Sequence, residues 1–365
     1  MTIGFVPMID CAPLIAAQEL GLFGKYGVSI RLSKEVGWAT IREKLAHDEL
    51  HAVHAPASMG FVIHCGIGIA ARPCLTAFVL SLNGSAITLS EKLWERGVRD
   101  AASLCAVIKE DRGQQIYSFG AVLEFSTQNY LLRRWLASGG IDPDRDVRIP
   151  IVPSPVIHYA MLDGHLDGYC VAEPWNSVAV ESGKGWIAAT AAEIDPGQPE
   201  KVLLVLEQFA RERAEEHLAI VAALIEAAAF CEAPAHRPEL ARMLGHSRYL
   251  DLPAAVIGNS LVGPLETGHG SREIPHLVTY HRDNANAPDR SKGKRVFNDV
   301  RVQPAARQCR ALRPDVIGRI FREDLYRQAC DLANPPAGRL FQSVEAPAPT
   351  PEIFPLDPRL FSLAS

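Results

Sequence analysis

Short apolar runs alternate with helical stretches through the first half of the chain, and this alternation narrows the fold more than any other feature. Residues 3–7 are followed by a helical pattern over 13–25, 28–33 by 40–47, and 50–54 by 58–66, with a further apolar run at 75–82. Strand-length runs separated by helix-length segments predict β-α-β-α order and a parallel sheet with crossover helices. Gly27 and Gly37 punctuate the turns between them.

A second unit of the same kind begins after Asn83-Gly84. It reads as strand 86–90, helix 91–96, strands 104–108 and 117–122, helix 126–138, strand 147–152, helix 156–162 and strand 168–172. The expected architecture is two α/β lobes, the second inserted in the first. Residues 1–84 begin lobe one, 85–174 form lobe two, and 175–264 return to lobe one with strands at 186–190 and 202–207 and an Ala-rich helix at 215–230. A mostly helical C-terminal extension spans 265–345, opening with a polar loop over 265–295, and a Pro-rich tail covers 346–365. Residues 83–85 form the outward crossing, and Glu173-Pro174-Trp175-Asn176 form the return.

Composition excludes several function classes. With 365 residues, 48% of them hydrophobic, the chain can bury two cores. A formal charge of -5 gives no overall basic surface, so direct nucleic-acid partners and anionic membranes are not expected. No uncharged apolar run reaches the roughly 20 residues of a membrane-spanning helix, because Glu226 interrupts the nearest at 218–230. The N-terminal residues read as a core strand with no export leader. Eight cysteines are scattered without CxxC spacing, as suits reduced thiols. The expected location is the cytoplasm, or the periplasm if a leader was removed before residue 1.

The cheap catalytic signals are absent. Gly66-Ile67-Gly68-Ile69-Ala70-Ala71 follows a helical segment and lacks an acidic partner, so it reads as a tight turn and not a dinucleotide fingerprint. There is no Walker A sequence, GxSxG elbow or HExxH. His51 and His54, three apart on a strand, point to opposite faces and do not make a metal pair. No metal or cofactor is expected. His54, at the carboxyl end of its strand, either lines a pocket or is structural. Ser126-Thr127-Gln128 opens a helix: Ser126 caps it, and the free N–H groups and helix dipole suit an anion, with Gln128 adding an amide donor. The plain alternative is an ordinary capped helix. Trp38, at a strand-to-helix turn, either walls a ligand or staples its helix to the core. Trp175 at the return crossing poses the same choice.

Several tracts carry a family resemblance. Asp10-Cys11-Ala12-Pro13, Gly21-Leu22-Phe23, Ser33-Lys34-Glu35-Val36 with Trp38, Leu82-Asn83-Gly84, Gly139-Gly140-Ile141-Asp142-Pro143-Asp144 and Glu173-Pro174-Trp175-Asn176 together resemble the nitrate/bicarbonate-binding proteins of ABC importers over residues 3–265. The resemblance implies a type II periplasmic-binding-protein fold, two α/β lobes joined by two crossover segments, and no enzymatic activity. It also implies an inorganic anion, nitrate or nitrite, held between the lobes by Trp38, Gln128 and the hinge residues Asn83, Gly84, Glu173 and Trp175, to which the positions of His54 and Ser126 add two further candidates.

Members without a leader resemble the cytoplasmic NasS-like nitrate/nitrite sensors, which sequester an ANTAR-type antiterminator until ligand binds. The other readings are the substrate-binding component of a nitrate/bicarbonate importer, with an ABC permease as partner, and an enzyme related to thiamine-pyrimidine synthases on the same scaffold. Two departures from the family stand out. The tract Asn259-Ser260-Leu261-Val262-Gly263 offers no lysine, which leaves charge neutralisation to helix dipoles, His54 or an arginine. Residues 296–310 lack the family's tryptophan- and methionine-bearing tract.

Overall fold

The computed structural model describes residues 1–334, so the Pro-rich tail expected at 346–365 lies outside the described residues. Thirteen strands occur among them: β1 Thr2–Phe5, β2 Arg31–Lys34, β3 Ala52–Pro56, β4 Cys74–Asn83, β5 Ser85–Ser90, β6 Tyr117–Gly120, β7 Val147–Arg148, β8 Gly168–Ala172, β9 Gly185–Thr190, β10 Pro199–Leu206, β11 Leu265–Glu266, β12 Ser271–Arg272 and β13 Val278–Thr279. They form a six-stranded sheet in the order β13-β4-β10-β3-β1-β2, a five-stranded sheet in the order β7-β6-β8-β5-β9, and the pair β11-β12. In the first sheet β1 runs parallel to β2 and β3, as the βα alternation predicts, while β10 runs antiparallel to both β3 and β4.

Each sheet is covered by helices whose composition explains their burial. Ala214–Glu232 presents Ile220, Val221, Leu224 and Ala228 to the first core and packs on Ala12–Glu19. Small alanines permit that close approach and carry no helix-propensity cost. No single helix among the described residues is long and apolar enough to cross a membrane.

Three local expectations are corrected. Residues 104–108 are not a strand but part of the helix Ala101–Glu110. Asp100 and Ser103 close a capping box at its start, and Leu104, Cys105, Val107 and Ile108 bury one face at helical spacing. The strand at 186–190 does not resume lobe one: β9 pairs antiparallel with β5, Ala86 opposite Thr190 and Ser90 opposite Gly185. The chain therefore returns to the first sheet between Ile194 and Pro199, not at residues 173–176. Strand pairing across about a hundred residues leaves no local trace in sequence, because β9 has the same alternation whichever sheet accepts it. Residues 265–295 are not a plain loop either. They supply β13 to the edge of the first sheet and β11-β12 against the second lobe, where Ile187 N donates to Thr267 O at 2.9 Å.

The first crossing is abrupt. β4 passes into β5 through Asn83 and Gly84, both at positive φ (58° and 89°). Gly84 tolerates this at no steric cost. Glu173, which follows β8, ties the same place from the other side: its N–H donates to Gly84 O at 2.9 Å, and its carbonyl accepts from Ile9 N at 2.9 Å.

Candidate functional site

Four titratable side chains are fully buried where the first sheet faces the second lobe: Asp10, His54, Glu200 and Lys201. Asp10 lies just beyond β1, at the carboxyl edge where open α/β sheets present ligands, whereas His54 is the middle residue of β3 and not at its carboxyl end as expected, because the strand runs on to Pro56. Glu200 and Lys201 enter from the antiparallel β10. Register shifts on both sides of Lys201 mark a bulge there, and a bulge lets two consecutive side chains converge where regular alternation would part them.

The Asp10 carboxylate bridges two partners, Oδ1 to His54 Nε2 at 2.8 Å and Oδ2 to Lys201 Nζ at 2.8 Å. Lys201 Nζ also lies 2.5 Å from Glu200 Oε1 and 5.3 Å from the Trp38 ring centroid. Trp38 in turn meets the His54 ring edge-on, centroids 5.2 Å apart. The second lobe adds Gln128, whose Nε2 donates to Glu200 Oε1 at 2.6 Å and to Ser85 Oγ at 3.2 Å. Ser154 and His158 come from the 3-10 turn Ser154–Val156 and the helix Ile157–Leu162, with His158 stacked on Trp175 at 5.3 Å. A single apolar cluster spans both lobes here, including Met8 and Trp38 from one side and Val122, Phe125, Ile157 and Trp175 from the other.

Trp38 Nε1, Gln128 Oε1, Glu200 Oε2, Ser154 Oγ and His158 Nδ1 are buried without a hydrogen-bond partner. Buried polar atoms are normally paired, and each unpaired one costs about 1–3 kcal/mol. Their concentration between the lobes points to a ligand that supplies the missing partners. A groove of about 420 Å³ beside Arg134, Trp135 and Ala188 shares no residue with this cluster.

The electrostatics follow from burial and pairing. Burial alone raises the Asp10 carboxyl, but Lys201 and His54 outweigh it and hold it below the ordinary range. Burial opposes the Lys201 charge, yet Asp10 and Glu200 hold its pKa above the ordinary value. Glu200 is pushed up, chiefly by burial. His54 is pushed down by burial, and His158, also desolvated, falls to about 4, which keeps its imidazole neutral.

The remaining sequence candidates divide by what their polar atoms do. His54 is committed to Asp10 on one nitrogen and faces Val6 N at 3.5 Å with the other. Ser126 accepts from Asn129 N at 3.2 Å and donates to Leu123 O at 2.8 Å, the cap predicted for it. Asn83 is engaged by Gln198 N and His276 O, and Gly84 belongs to the crossing. Trp175 Nε1 donates to Pro7 O at 3.0 Å, joining the lobes. Glu173 Oε2 accepts from Ser177 N and Oγ at 3.1 and 2.9 Å, its Oε1 is unpartnered, and burial pushes its carboxyl up to about 7.

Lys201 is the residue that sequence reasoning missed. The family resemblance points to a cation at 259–263, whereas the signal is a lysine directly ahead of the apolar run 202–206, which the strand draws into the core. Among the described residues, no group of three or more His, Cys, Asp or Glu is arranged to hold a metal ion.

Two α/β lobes joined at adjacent crossings, with a buried polar cluster between them, define a two-lobed binding-protein fold. The chain belongs to the NMT1-like family, which it matches over residues 1–245. It is 35% identical over 339 residues to the nitrate import ATP-binding protein NrtC of Synechocystis, covering 90% of this chain and 50% of that protein. It is 29% identical to the nitrate/nitrite binding protein NrtA of Nostoc, covering 90% and 76%. The chain thus spans about half the length of the first of these relatives. The crystal structure of the periplasmic nitrate-binding protein NrtA from Synechocystis superposes with a TM-score of 0.85 at 24% identity, covering 94% of this chain and 91% of that one.

Proposed function

We propose that the chain captures nitrate or nitrite between its lobes and acts as a cytoplasmic sensor, sequestering an ANTAR-type antiterminator of nitrate assimilation until the anion binds. The observation that carries the ligand reading is the Lys201 ammonium, buried against the Trp38 ring beside Gln128, in the middle of unpartnered polar atoms. A planar, weakly hydrated anion gives up little on entering a dry site, and an indole wall with N–H and amide donors matches its shape. The relatives named for nitrate support the same ligand class.

The mechanism is linkage. The anion favours the arrangement in which both lobes contribute contacts, the partner favours the other, and each therefore weakens the other's binding. One observation supports a cytoplasmic setting: all eight cysteines are free thiols. The second reading, a substrate-binding component that delivers the anion to an ABC permease, is favoured by the likeness to NrtA.

Isothermal titration calorimetry of the whole chain with nitrate, nitrite and bicarbonate tests the ligand. Affinity on the order of micromolar for nitrate or nitrite is expected, lost in Trp38→Ala and weakened at least tenfold in Gln128→Ala. Silence toward all three anions would overturn the assignment. Co-purification of the antiterminator, released by the same anion, separates the sensor from the transport receptor.

A further inference from the structure

The charge balance of the cluster carries a consequence for which anions it accepts, and the argument rests on the anion-binding reading above. Fully ionised, Asp10 and Glu200 set two carboxylates against the single ammonium of Lys201. The cation is thus already neutralised within 2.8 Å on one side and 2.5 Å on the other. Nitrate has only acceptor oxygens. Facing it, Glu200 Oε2 is a further acceptor, buried and unpartnered, and two acceptors with no proton between them repel in a dry site.

The hydrogen bonds at Glu200 suggest how this conflict is resolved. Both donors that reach it, Lys201 Nζ and Gln128 Nε2, converge on Oε1. That leaves Oε2 as the atom that carries a proton when the group is neutral. We propose that Glu200 is a specificity-determining residue that holds the anion as a carboxylic acid, so that nitrate enters with one proton taken up from solvent. An anion that brings its own proton, as bicarbonate does, donates it to ionised Glu200 and needs no uptake.

The groups that face Glu200 agree with this assignment. Lys201 on its own strand favours the ionised form, as does the Gln128 amide from the second lobe. Asp10, beyond β1, opposes it, and so does burial, the largest influence, so Glu200 takes up a proton more readily than an ordinary carboxyl. Cys170 of β8 feels the Glu200 charge, and its thiol is held far above its ordinary range, so it adds no negative charge. His54 is turned to Asp10, and burial pushes its imidazole down from its ordinary range.

The sign is fixed by this linkage. Nitrate affinity is complete below the pKa of Glu200 in the free protein and falls about tenfold per pH unit above it. Calorimetry between about pH 6 and 8, in two buffers of different ionisation enthalpy, reads this directly. For wild type, about one proton taken up per nitrate and none per bicarbonate is expected. Glu200→Gln should bind nitrate with a flat pH response and lose affinity for bicarbonate. Nitrate binding without proton uptake, or a pH slope that persists in Glu200→Gln, would overturn the proposal while leaving the anion site intact. The buffer comparison needs only wild type, so it stands even if the variant folds poorly. Absence of nitrate binding at every pH would overturn the anion reading and this inference together.

Discussion

The two lobes contribute opposite kinds of polarity to the same interface. The first lobe brings charge: Asp10, Glu200 and Lys201, bonded to one another within 2.8 Å, with His54 against Asp10. The second brings neutral groups, Gln128, Ser154 and His158, each with a buried atom that lacks a partner. Charges cannot wait unpaired in a dry interior, whereas neutral donors and acceptors tolerate it at about 1–3 kcal/mol each. The Asp10–Lys201 pair is therefore a permanent scaffold, and the unpartnered atoms, those of the second lobe together with Trp38 Nε1 and Glu200 Oε2, are what a ligand completes.

Breaking the scaffold is expected to have the largest effect. Lys201→Met leaves two carboxylates without their cation, and removing one member of a buried ion pair costs about 3–5 kcal/mol. Urea denaturation should show a loss of that size together with loss of anion binding. A stable Lys201→Met protein would mean that Asp10 simply protonates, and that the lobe's charges are not a scaffold.

Glu173 sharpens the comparison, because it is a buried carboxyl without a cation. Asp10 is held below the ordinary carboxylate range by Lys201 and His54, whereas burial lifts Glu173 to about 7. A carboxyl with a raised folded-state pKa binds its proton more tightly when folded. Stability is therefore lost as pH rises from the ordinary carboxyl value through about 7. Glu173→Gln keeps an oxygen for Ser177 and removes the charge. It should be more stable than wild type by on the order of 2–3 kcal/mol near pH 8, with little difference near pH 4. Equal stabilities at both pH values would show that Glu173 is solvated or paired.

How much of this was legible in the sequence follows from the range of the interactions. The βα alternation, the Ser126 cap and the Asn83-Gly84 crossing are written within a few residues, and sequence reading finds them. β9 and β13 are placed by pairings with β5 and β4 across about a hundred residues or more, and nothing local distinguishes the sheet they join. The site is split the same way. Trp38 and Gln128 are visible at turns before helices, while Lys201 depends on a bulge and His158 on the stacking of its helix against Trp175.

The smallest expected effect tests whether the lobes move. Arg134 of the second lobe pairs with Asp195 in the return crossing and with Asp299 on the helix Arg290–Arg301. That helix packs on lobe one through Phe297 against Phe61, centroids 5.9 Å apart. The Arg134 side chain is 44% exposed, so solvent screens the pairs and their worth to stability is at most about 1 kcal/mol. Arg134→Ala should hardly shift the urea midpoint. If anion capture closes the lobes, however, the pair with Asp299 exists only in the closed arrangement, and losing it weakens nitrate affinity up to about fivefold with stability unchanged. An affinity untouched by Arg134→Ala would mean that the two lobes meet the anion as a rigid pair, and a sensor built on closure would then need a different moving part.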